Sequence, residues 1–342
     1  MGDGGETPSS TGATATPTSS ADGGVRQPTV SVVVGAHTRV EFLERAVRSV
    51  ASQGPDEIIV VKYARNPGLD EKLTALGARV HVSREPWSGG KFAEGIELAA
   101  GKVVAFLDDD DVFLPGKIAR VRSVFQDPRV VFHANRYFPF TDTPPEHGEA
   151  GPIELFETAL GDQYWQGLRP VLTSCSTVRR DILLPWVDQL RTLTVADHPM
   201  FMKAVTARQW IAMDRSILTG FHLVRAGNVI RAANTIWFKP GVSAQRDIAW
   251  MLDLLDSESG GVRKTLTPMV VNSVVHFVFL TGETRFREYR RTMRALLDGV
   301  GLRRPLTVPS ALMFGYPLSP KLAISLNRAW KSLVGNAHVQ RG

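Results

Sequence analysis

The sequence predicts an α/β fold in which helices flank a mostly parallel sheet, followed by a mainly helical C-terminal region. Short apolar runs rich in β-branched residues occur at 30–34, 57–61 and 103–107, and each has the length of a buried strand. Segments with a helical spacing of apolar residues separate these runs. Strands that alternate with helices are typical of right-handed βαβ units, whose strands lie parallel.

The predicted elements follow one another regularly along the chain. In the first helix, Phe42, Leu43, Ala46 and Val47 recur at helical spacing. Pro115 is tolerated in the first turn of a later helix, because the nitrogen there needs no hydrogen-bond partner. The elements are strand 30–34, helix 41–53, strand 57–61, helix 69–76, strand 79–83, helix 93–100, strand 103–107, helix 115–125, strand 130–137, strand 171–178 and helix 194–208, with strands between 217 and 242 and helices beyond 247.

Composition divides the chain into three parts. The first 28 residues, mostly Gly, Ser, Thr, Pro and Ala, predict a disordered leader that lacks the apolar core of a signal peptide. We expect one folded domain over 29–250 and a helical region over 251–342. Because the leader also lacks the arginine content of a transit peptide, we expect a cytoplasmic protein. No window reaches the roughly 18 unbroken apolar residues of a membrane span. The 268–281 stretch predicts a buried helix, with a membrane-dipping helix as the alternative.

Charge and cysteine content narrow the classes of partner. The formal net charge of +6 favours nucleotide phosphates or acidic lipid as ligands. Nucleic acid is disfavoured, because the chain has no basic helix, RNP-like aromatic motif or zinc spacing. The single cysteine, Cys175, excludes an internal disulfide and a cysteine-built metal site.

An arginine-rich amphipathic helix is predicted over 285–297. Its basic face permits a peripheral contact with anionic membrane lipid, and a solvated charged face is the alternative. The residues concerned are Arg285, Arg287, Arg290, Arg291 and Arg294.

Four consecutive aspartates, Asp108 to Asp111, directly follow the predicted strand 103–107. Adjacent carboxylates repel each other, so they need a compensating cation or full solvation. Parallel sheets bind ligands at the carboxyl ends of their strands, near a switch in strand order. Oxygen ligands at such a position suit Mg²⁺ or Mn²⁺, which bridge a carboxylate to substrate phosphates. A solvated acidic turn is the alternative interpretation.

Four segments in order carry a resemblance to a known family. They are an opening strand, loop and helix at 31–43, a second strand at 57–61, a Gly-rich approach at 88–101 and an Asp-x-Asp-Asp motif within 106–111. Together they resemble the family 2 glycosyltransferases of the GT-A fold over about residues 29–125. The resemblance implies a Rossmann-like GT-A domain that uses Mg²⁺ or Mn²⁺ to transfer a sugar from a nucleotide-diphosphate sugar, with inversion. The acceptor is a glycan, a lipid-linked molecule or a small molecule.

The resemblance also implies roles for individual residues. Asp108, Asp110 and Asp111 are the expected metal contacts, with Asp110 as the principal one and Asp111 assigned to the metal or to a sugar hydroxyl. The residues expected to bind the nucleotide-sugar are Gly35, His37, Arg39, Tyr63, Gly90, Lys91, Asp108, Asp109 and Lys239.

The segment 195–203 resembles the family's acceptor-side helix, with Ala196 in place of the usual Glu. Asp197 is therefore the predicted catalytic base, since an inverting transfer needs a carboxylate that accepts the acceptor's proton. Two alternatives are that Asp197 only caps the helix and that His198 is the base. The hydroxyls within 173–177 either bind sugar or acceptor or satisfy a turn.

Tryptophans supply a further set of alternatives. Trp165 and Trp186 could form an acceptor platform, although a tryptophan buried in the core is the more common arrangement.

Two positions depart from the family's pattern. Lys62 stands where an aspartate usually binds the nucleobase, so we expect backbone groups or stacking on Tyr63 to hold the base. Lys239 replaces a histidine near the metal and is expected to contact the diphosphate. A non-catalytic nucleotide-sugar-binding or scaffold protein on the same fold is the alternative function. A nucleotidyltransferase is disfavoured, because 35–37 does not form a Gly-rich phosphate loop.

Overall fold

The computed structural model describes residues 27–36, 40–158, 171–226, 229–232, 242–267, 269–270 and 291. Strands and helices alternate over its first hundred residues, as the sequence predicts. In chain order the elements are β1 (Val30–Ala36), α1 (Val40–Ala51), β2 (Glu57–Lys62), α2 (Pro67–Ala75), β3 (Ala78–Val82), α3 (Ser88–Leu98), β4 (Val103–Asp108), β5 (Val112–Phe113), α4 (Lys117–Val124), β6 (Val130–Phe140), β7 (Ile153–Glu157), β8 (Ser176–Arg179), α5 (Arg180–Leu183), α6 (Val187–Arg191), α7 (Asp197–Thr206), β9 (Trp210–Ala226), β10 (Val229–Ala232) and α8 (Val242–Ser257).

The strands form a mixed sheet in the order β3–β2–β1–β4–β8–β6–β9–β10, and β5 and β7 also pair with β9. The first four strands are parallel to one another, and β6 is parallel to β9. β8 runs antiparallel between β4 and β6. The predicted α/β class is therefore confirmed, and the parallel arrangement holds in its N-terminal half.

The order of strands reverses between β1 and β4. The chain runs from β1 outward to β2 and β3, and then returns to the other side of β1 to form β4. Gly35 and Asp108 are paired at the carboxyl ends of these two strands. A crevice at such a switch point is where open α/β sheets bind ligands, so the acidic motif lies where the sequence predicts it.

Two apolar cores cover the two faces of the sheet. Side chains of a strand alternate between faces, and accordingly Val33 packs in one cluster with α3 while Val32 and Val34 pack in the other with α1. Helix α8 contributes Ile248 and Leu252 to the first cluster. The expected domain boundary at residue 250 thus falls inside a helix that packs on the core of the sheet.

A buried ion pair fixes β9 against β6 and α4. Asp214 of β9 accepts a hydrogen bond from Arg120 Nε at 2.8 Å, and its Oδ2 lies 3.2 Å from His133 Nε2. Burial opposes ionisation of Asp214, but hydrogen bonds from His133, Arg120 and Ser216 hold its pKa well below the ordinary value. These contacts therefore fix the position of β9. This strand also carries His222, which lies beside the acidic motif.

Two predicted elements differ in extent. The strand predicted over 171–178 is only β8, because residues 173–175 form a 3₁₀ turn in which Ser176 Oγ donates to the Leu172 carbonyl at 2.8 Å. A side-chain hydroxyl that bonds the local backbone competes with strand pairing. β9 begins at Trp210, earlier than the predicted 217.

Several predicted segments lie outside the described residues. They are the leader up to residue 26, most of the 268–281 helix and, apart from residue 291, the 285–297 helix. Within the described part of the chain, no helix is long and apolar enough to cross a membrane.

The close approach of α3 to β1 predicts a stability effect at Gly95. A Cβ added at Gly95 would overlap Val33 Cγ1 in the core. We expect Gly95→Ala to lower the free energy of unfolding by about 1–3 kcal/mol, as overpacking usually does. Urea unfolding measures this. Gly68→Ala in α2 is the matched control, since its Cβ would meet no heavy atom of the described residues within 4 Å. Equal effects of the two variants would contradict the packing argument.

Candidate active site

The site lies at the carboxyl ends of β1 and β4. Gly35 lies at the carboxyl end of β1, and a Cβ added there would lie 2.8 Å from Phe92 Cζ of α3. A larger residue would push Phe92 out of the core, so this position needs glycine. Asp108 is half-buried beside Gly35, and its N–H donates to Ser174 Oγ at 3.0 Å.

The acidic motif is buried rather than solvated. Asp109, Asp110 and Asp111 are 1%, 3% and 1% exposed, and the Asp111 N–H closes a turn on the Asp108 carbonyl at 3.3 Å. Burying charged carboxylates is costly unless they are paired or hydrogen-bonded. The solvated-turn interpretation is therefore wrong, and the protein itself must supply compensating groups.

Asp111 is an anchor of the motif. Its Oδ2 accepts a hydrogen bond from Ser174 Oγ at 2.5 Å, and its Oδ1 accepts one from the His222 N–H at 2.8 Å. Asp111 therefore ties the 173–175 turn and β9 to the end of β4. This geometry favours an anchoring role over the predicted metal contact, and it favours the turn-satisfying role for the Ser174 hydroxyl.

Asp110 faces an imidazole nitrogen. His222 Nδ1 lies 3.7 Å from Asp110 Oδ2 and has no hydrogen-bond partner among the described residues. His222 Nε2 is 2.9 Å from the Thr141 carbonyl, to which it can only donate. In the neutral ring the lone pair is therefore on Nδ1, toward Asp110. Phe42 and Phe140 pack against this ring, with centroids 4.6 and 5.2 Å away.

Three basic side chains, one from each of three helices, surround the motif. The Arg45 guanidinium of α1 donates to the Asp110 carbonyl at 3.0 Å and is attracted to the carboxylates of Asp110 and Asp111. The Lys91 ammonium of α3 is attracted to Asp109. Burial lowers the pKa of both groups, and the nearby carboxylates oppose that shift.

Lys117 of α4 is the third basic residue, and it is fully buried. Its Nζ donates to the Ser174 carbonyl and, at 3.0 Å, to Thr219 Oγ1, and it lies 3.9 Å from the centroid of the Phe113 ring. Burial lowers its pKa to about 8, against the attraction of Asp111. Lys117 thus places an internal positive charge behind the motif, on the far side of Ser174.

The residues present fit a divalent cation whose coordination shell is completed by a phosphate ligand. In the part of the chain that the structure describes, no group of three or more His, Cys, Asp or Glu side chains could hold a metal by itself. Mg²⁺ usually takes only one or two protein carboxylates and completes its shell with water and substrate phosphates. Asp110, with the His222 nitrogen beside it and Asp108 at the same strand end, is a donor set of this kind.

Lys62 points into the protein. It is fully buried, donates to the Ala64 carbonyl at 2.6 Å and forms an ion pair with Asp70 at 2.6 Å. Its ammonium therefore belongs to the packing of α2 and is directed away from a ligand. Tyr63, the next residue, is 50% exposed, as a residue that stacks on a base would be.

Gly90 and Lys91 begin helix α3 close to the motif. Both are buried, and a Cβ at Gly90 would lie 2.7 Å from Glu85 Cβ. The structure therefore brings Gly35, Gly90, Lys91 and the four aspartates of 108–111 to one end of the sheet. His37, Arg39 and Lys239 lie outside the described residues.

Asp197 is the first residue of α7 and is buried. Its Oδ1 accepts the His198 N–H at 2.8 Å and lies 3.5 Å from His198 Nδ1. Burial raises the pKa of Asp197 above its ordinary value, and His198 opposes that shift. The N-cap position is Ala196, which has no side-chain capping bond among the described residues. Asp197 is therefore not the N-cap, although it does bind one N–H of the first turn.

The predicted aromatic and basic surfaces have other partners. Trp186 is buried and packs on Trp250, with centroids 5.3 Å apart, so it belongs to the core. Trp165 lies outside the described residues, as do the other arginines of 285–297. Arg291 pairs with Asp253 at 2.8 Å and Asp256 at 2.7 Å, which commits its charge within the protein.

A family model agrees with this site. The model described as Glycosyl transferase family 2 matches residues 31–184, a little under half of the chain. Residues 31–184 are therefore similar to the family 2 glycosyltransferases. The match includes the whole acidic motif and Ser174, and the resemblance seen in the sequence is confirmed.

Two curated proteins that match part of this chain are named as glycosyltransferases. An uncharacterized glycosyltransferase of Nostoc sp. is 34% identical over 110 residues, which are 30% of this chain and 34% of that protein. One from Rickettsia bellii is 25% identical over 119 residues, which are 33% of this chain and 17% of that protein. The chain thus matches about a third or less of the length of these relatives.

Solved structures share the fold of the glycosyltransferase domain. TarS 1–349 of S. aureus in complex with UDP-GlcNAc superposes with a TM-score of 0.58 at 13% identity, over 85% of this chain and 87% of that one. The complex of TarS 1–349 with UDP gives a TM-score of 0.53 at 15% identity, over 80% of each chain. Likeness at this identity shows the fold, and the predicted GT-A fold is confirmed.

Sequence reasoning missed four residues that shape the site. His222, Arg45 and Lys117 surround the motif, and Asp247 of α8 contacts the loop before Asp197. The sequence gives only a partial signal for them: four adjacent aspartates require cations, but their spacing does not show which helices supply these.

The buried Lys117 predicts a particular dependence of stability on pH. Its folded pKa is about 8 and the ordinary value is 10.5, so between these values the folded protein binds fewer protons than the unfolded chain. The free energy of unfolding therefore gains on the order of 3 kcal/mol from this group as pH rises through that window. Lys117→Met should lack this gain in urea unfolding measured across the window.

Lys72→Met is the control for this prediction, because Lys72 is an exposed lysine of α2. Its pH profile should follow that of the wild type. If the free energy of unfolding of Lys117→Met also changes with pH in parallel with the wild type, the pKa of Lys117 is not lowered in the folded protein.

Proposed function

We propose that this protein transfers a sugar from a nucleotide-diphosphate sugar to an acceptor hydroxyl, with the help of a divalent cation and with inversion at the sugar carbon. The observation that carries the proposal is the buried acidic motif at the switch point of a family 2 domain. Such a site holds anionic carboxylates with the protein's own cations behind them. It suits a ligand that brings a divalent cation and a diphosphate together.

The donor is proposed to bind along the carboxyl ends of β1, β2 and β4. TarS, which shares the fold, was crystallised with UDP-GlcNAc and with UDP, and this supports a donor of the same chemical class. Since the Lys62 ammonium is paired with Asp70, backbone groups at the end of β2 or stacking on Tyr63 would hold the base. His37, Arg39 and Lys239 stay proposed donor contacts.

Asp110 and Asp108, with His222 Nδ1 beside them, would hold the Mg²⁺ or Mn²⁺. When bound, such an ion supplies Lewis-acid stabilisation of the departing diphosphate. The contribution of the chain itself is to fix the Asp110 carboxylate, through the Arg45 bond to its carbonyl and the two bonds that anchor Asp111. A site held in this way needs little reorganisation during the reaction.

Asp197 is the proposed base. Its carboxylate takes the proton of the acceptor hydroxyl, whose oxygen bonds to the anomeric carbon as the bond from that carbon to the diphosphate breaks. A pKa raised by burial makes the carboxylate a better proton acceptor near neutral pH. The His198 N–H holds one oxygen, Oδ1, and fixes the orientation of the group.

The acceptor is proposed to be a glycan, a lipid-linked molecule or a small molecule. A cytoplasmic location and a peripheral membrane contact remain part of the proposal. Arg291 contributes less to such a contact than predicted, because Asp253 and Asp256 already pair with it.

Donor binding tests the metal and donor assignment. Calorimetric titration of UDP, GDP and dTDP with Mn²⁺ should show cation-dependent binding of at least one nucleotide. Asp110→Ala should weaken that binding about 10-fold or more, because it removes the carboxylate nearest the imidazole. Asp188→Ala, which changes an exposed aspartate of α6, should bind as the wild type does. If none of the three nucleotides binds with Mn²⁺, the donor proposal fails and the non-catalytic scaffold becomes the better interpretation.

Turnover tests the base. With the acceptor identified from a panel of glycans, lipid-linked sugars and small alcohols, Asp197→Asn should lower kcat by about 10²–10⁴-fold and leave donor binding unchanged. The wild-type rate should fall with acidity at a pH above the ordinary aspartate value, since protonated Asp197 is inactive. His198→Gln is the comparison: if it abolishes turnover while Asp197→Asn does not, His198 is the base.

A further inference from the structure

A buried carboxylate of α8 grips the loop that leads to Asp197. Both oxygens of Asp247 lie 3.0 Å from the Thr194 nitrogen, so the carboxylate accepts the Thr194 N–H through both oxygens. Asp247 is completely buried. The loop between α6 and α7 is only five residues long, 192–196, so these two bonds engage its centre.

The opposite side of the same loop rests on α3. Gly89 has no room for a side chain, because a Cβ there would overlap the carbonyl oxygens of Leu190 and Leu193. Leu193 and Ala196 are buried in the core. The loop is thus held between α3, which carries Lys91 of the donor side, and α8, which lies beyond the family match at 31–184.

Asp247 is a costly way to hold a loop. Burial raises its pKa to about 6, and the hydrogen bond from the Thr194 N–H, with a smaller attraction to Arg246, only partly offsets that. At neutral pH the folded protein therefore carries a charge that the unfolded chain solvates better. A neutral asparagine could accept a backbone N–H without this cost, so stability does not account for a carboxylate here.

We propose that Asp247 is a positioning residue that fixes residues 194–196 and thereby the direction of the Asp197 carboxylate. The inference rests on the proposed role of Asp197 as the base. The two carboxylate oxygens share the Thr194 N–H, which defines the path of the loop more tightly than one neutral acceptor does. Helix α8 then couples the C-terminal region to the chemistry of the family 2 domain.

The test uses a graded series in the full-length protein. Asp247→Asn keeps one acceptor oxygen and removes the charge, and Asp247→Ala removes both acceptors. Asp253→Asn is the matched control on the same helix, because Asp253 is exposed and pairs only with Arg291 among the described residues. Amide hydrogen exchange of the peptide spanning 190–198, the thermal midpoint, kcat and the donor KM are measured for each variant at neutral pH.

We expect exchange of the 194–196 amides to accelerate in the order wild type, Asp247→Asn, Asp247→Ala. The kcat should fall in the same order, by about 10-fold or more for Asp247→Ala, while the donor KM stays within about 2-fold. The thermal midpoint of Asp247→Asn should not fall. Asp253→Asn should match the wild type in exchange and kcat. A purely structural role would instead lower the thermal midpoint and speed exchange throughout the protein.

Wild-type exchange and kcat in both Asp247 variants would overturn the inference, and so would a uniform loss of stability. If Asp247→Ala fails to fold, the Asn variant alone decides between these outcomes. The proposed function fails separately: full turnover in Asp197→Asn removes the base and this inference with it. Lost turnover in Asp197→Asn but not in Asp247→Asn removes the inference alone.

Discussion

The burial of negative charge is the constraint on which the rest of this structure depends. Three carboxylates at the end of β4 lie beneath the surface, where they would be strongly destabilising without compensation. The fold meets this constraint with Arg45, Lys91 and Lys117, which come from α1, α3 and α4. The placement of these three helices therefore also supplies the positive charge that the buried carboxylates need.

Adjacent aspartates have different tasks. Asp111 spends both oxygens on Ser174 and His222, and this makes it a fixed point to which a turn and a distant strand are attached. Asp110 is held through its backbone carbonyl, and its carboxylate lies 3.7 Å from His222 Nδ1. A motif of four consecutive aspartates thus contains an anchor next to a residue that faces His222. Preorganisation of this kind is what a reaction that separates charge requires.

The sequence predicted what depends on local pattern. Strands β1 to β4 and the place of the motif follow from apolar periodicity and from consecutive residues, and both were correct. The partners of the motif could not be predicted, because His222 meets Asp111 only through the pairing of β9 with β5 and β6. The 171–178 segment was predicted as one strand, whereas residues 173–175 form a 3₁₀ turn and Ser176 Oγ donates to the Leu172 carbonyl, which a sequence pattern does not show. Lys62 was identified as a departure from the family's usual aspartate. Its ion pair with Asp70 could not be predicted, because it depends on the direction of the Lys62 side chain.

The long-range contacts that β9 makes with the acidic motif also bear on how the chain folds during its synthesis. A nascent chain that has emerged only as far as residue 184 contains the whole family match, yet it lacks the His222 N–H that binds Asp111 and the Thr219 hydroxyl that binds Lys117. Closing a contact over 111 residues carries an entropic cost that local contacts avoid. In the unfolded chain water solvates these aspartates, so their burial becomes favourable only once residues 219 and 222 are available to pair with Lys117 and Asp111. The contacts that compensate the acidic motif therefore extend beyond the region of sequence similarity, which ends at residue 184.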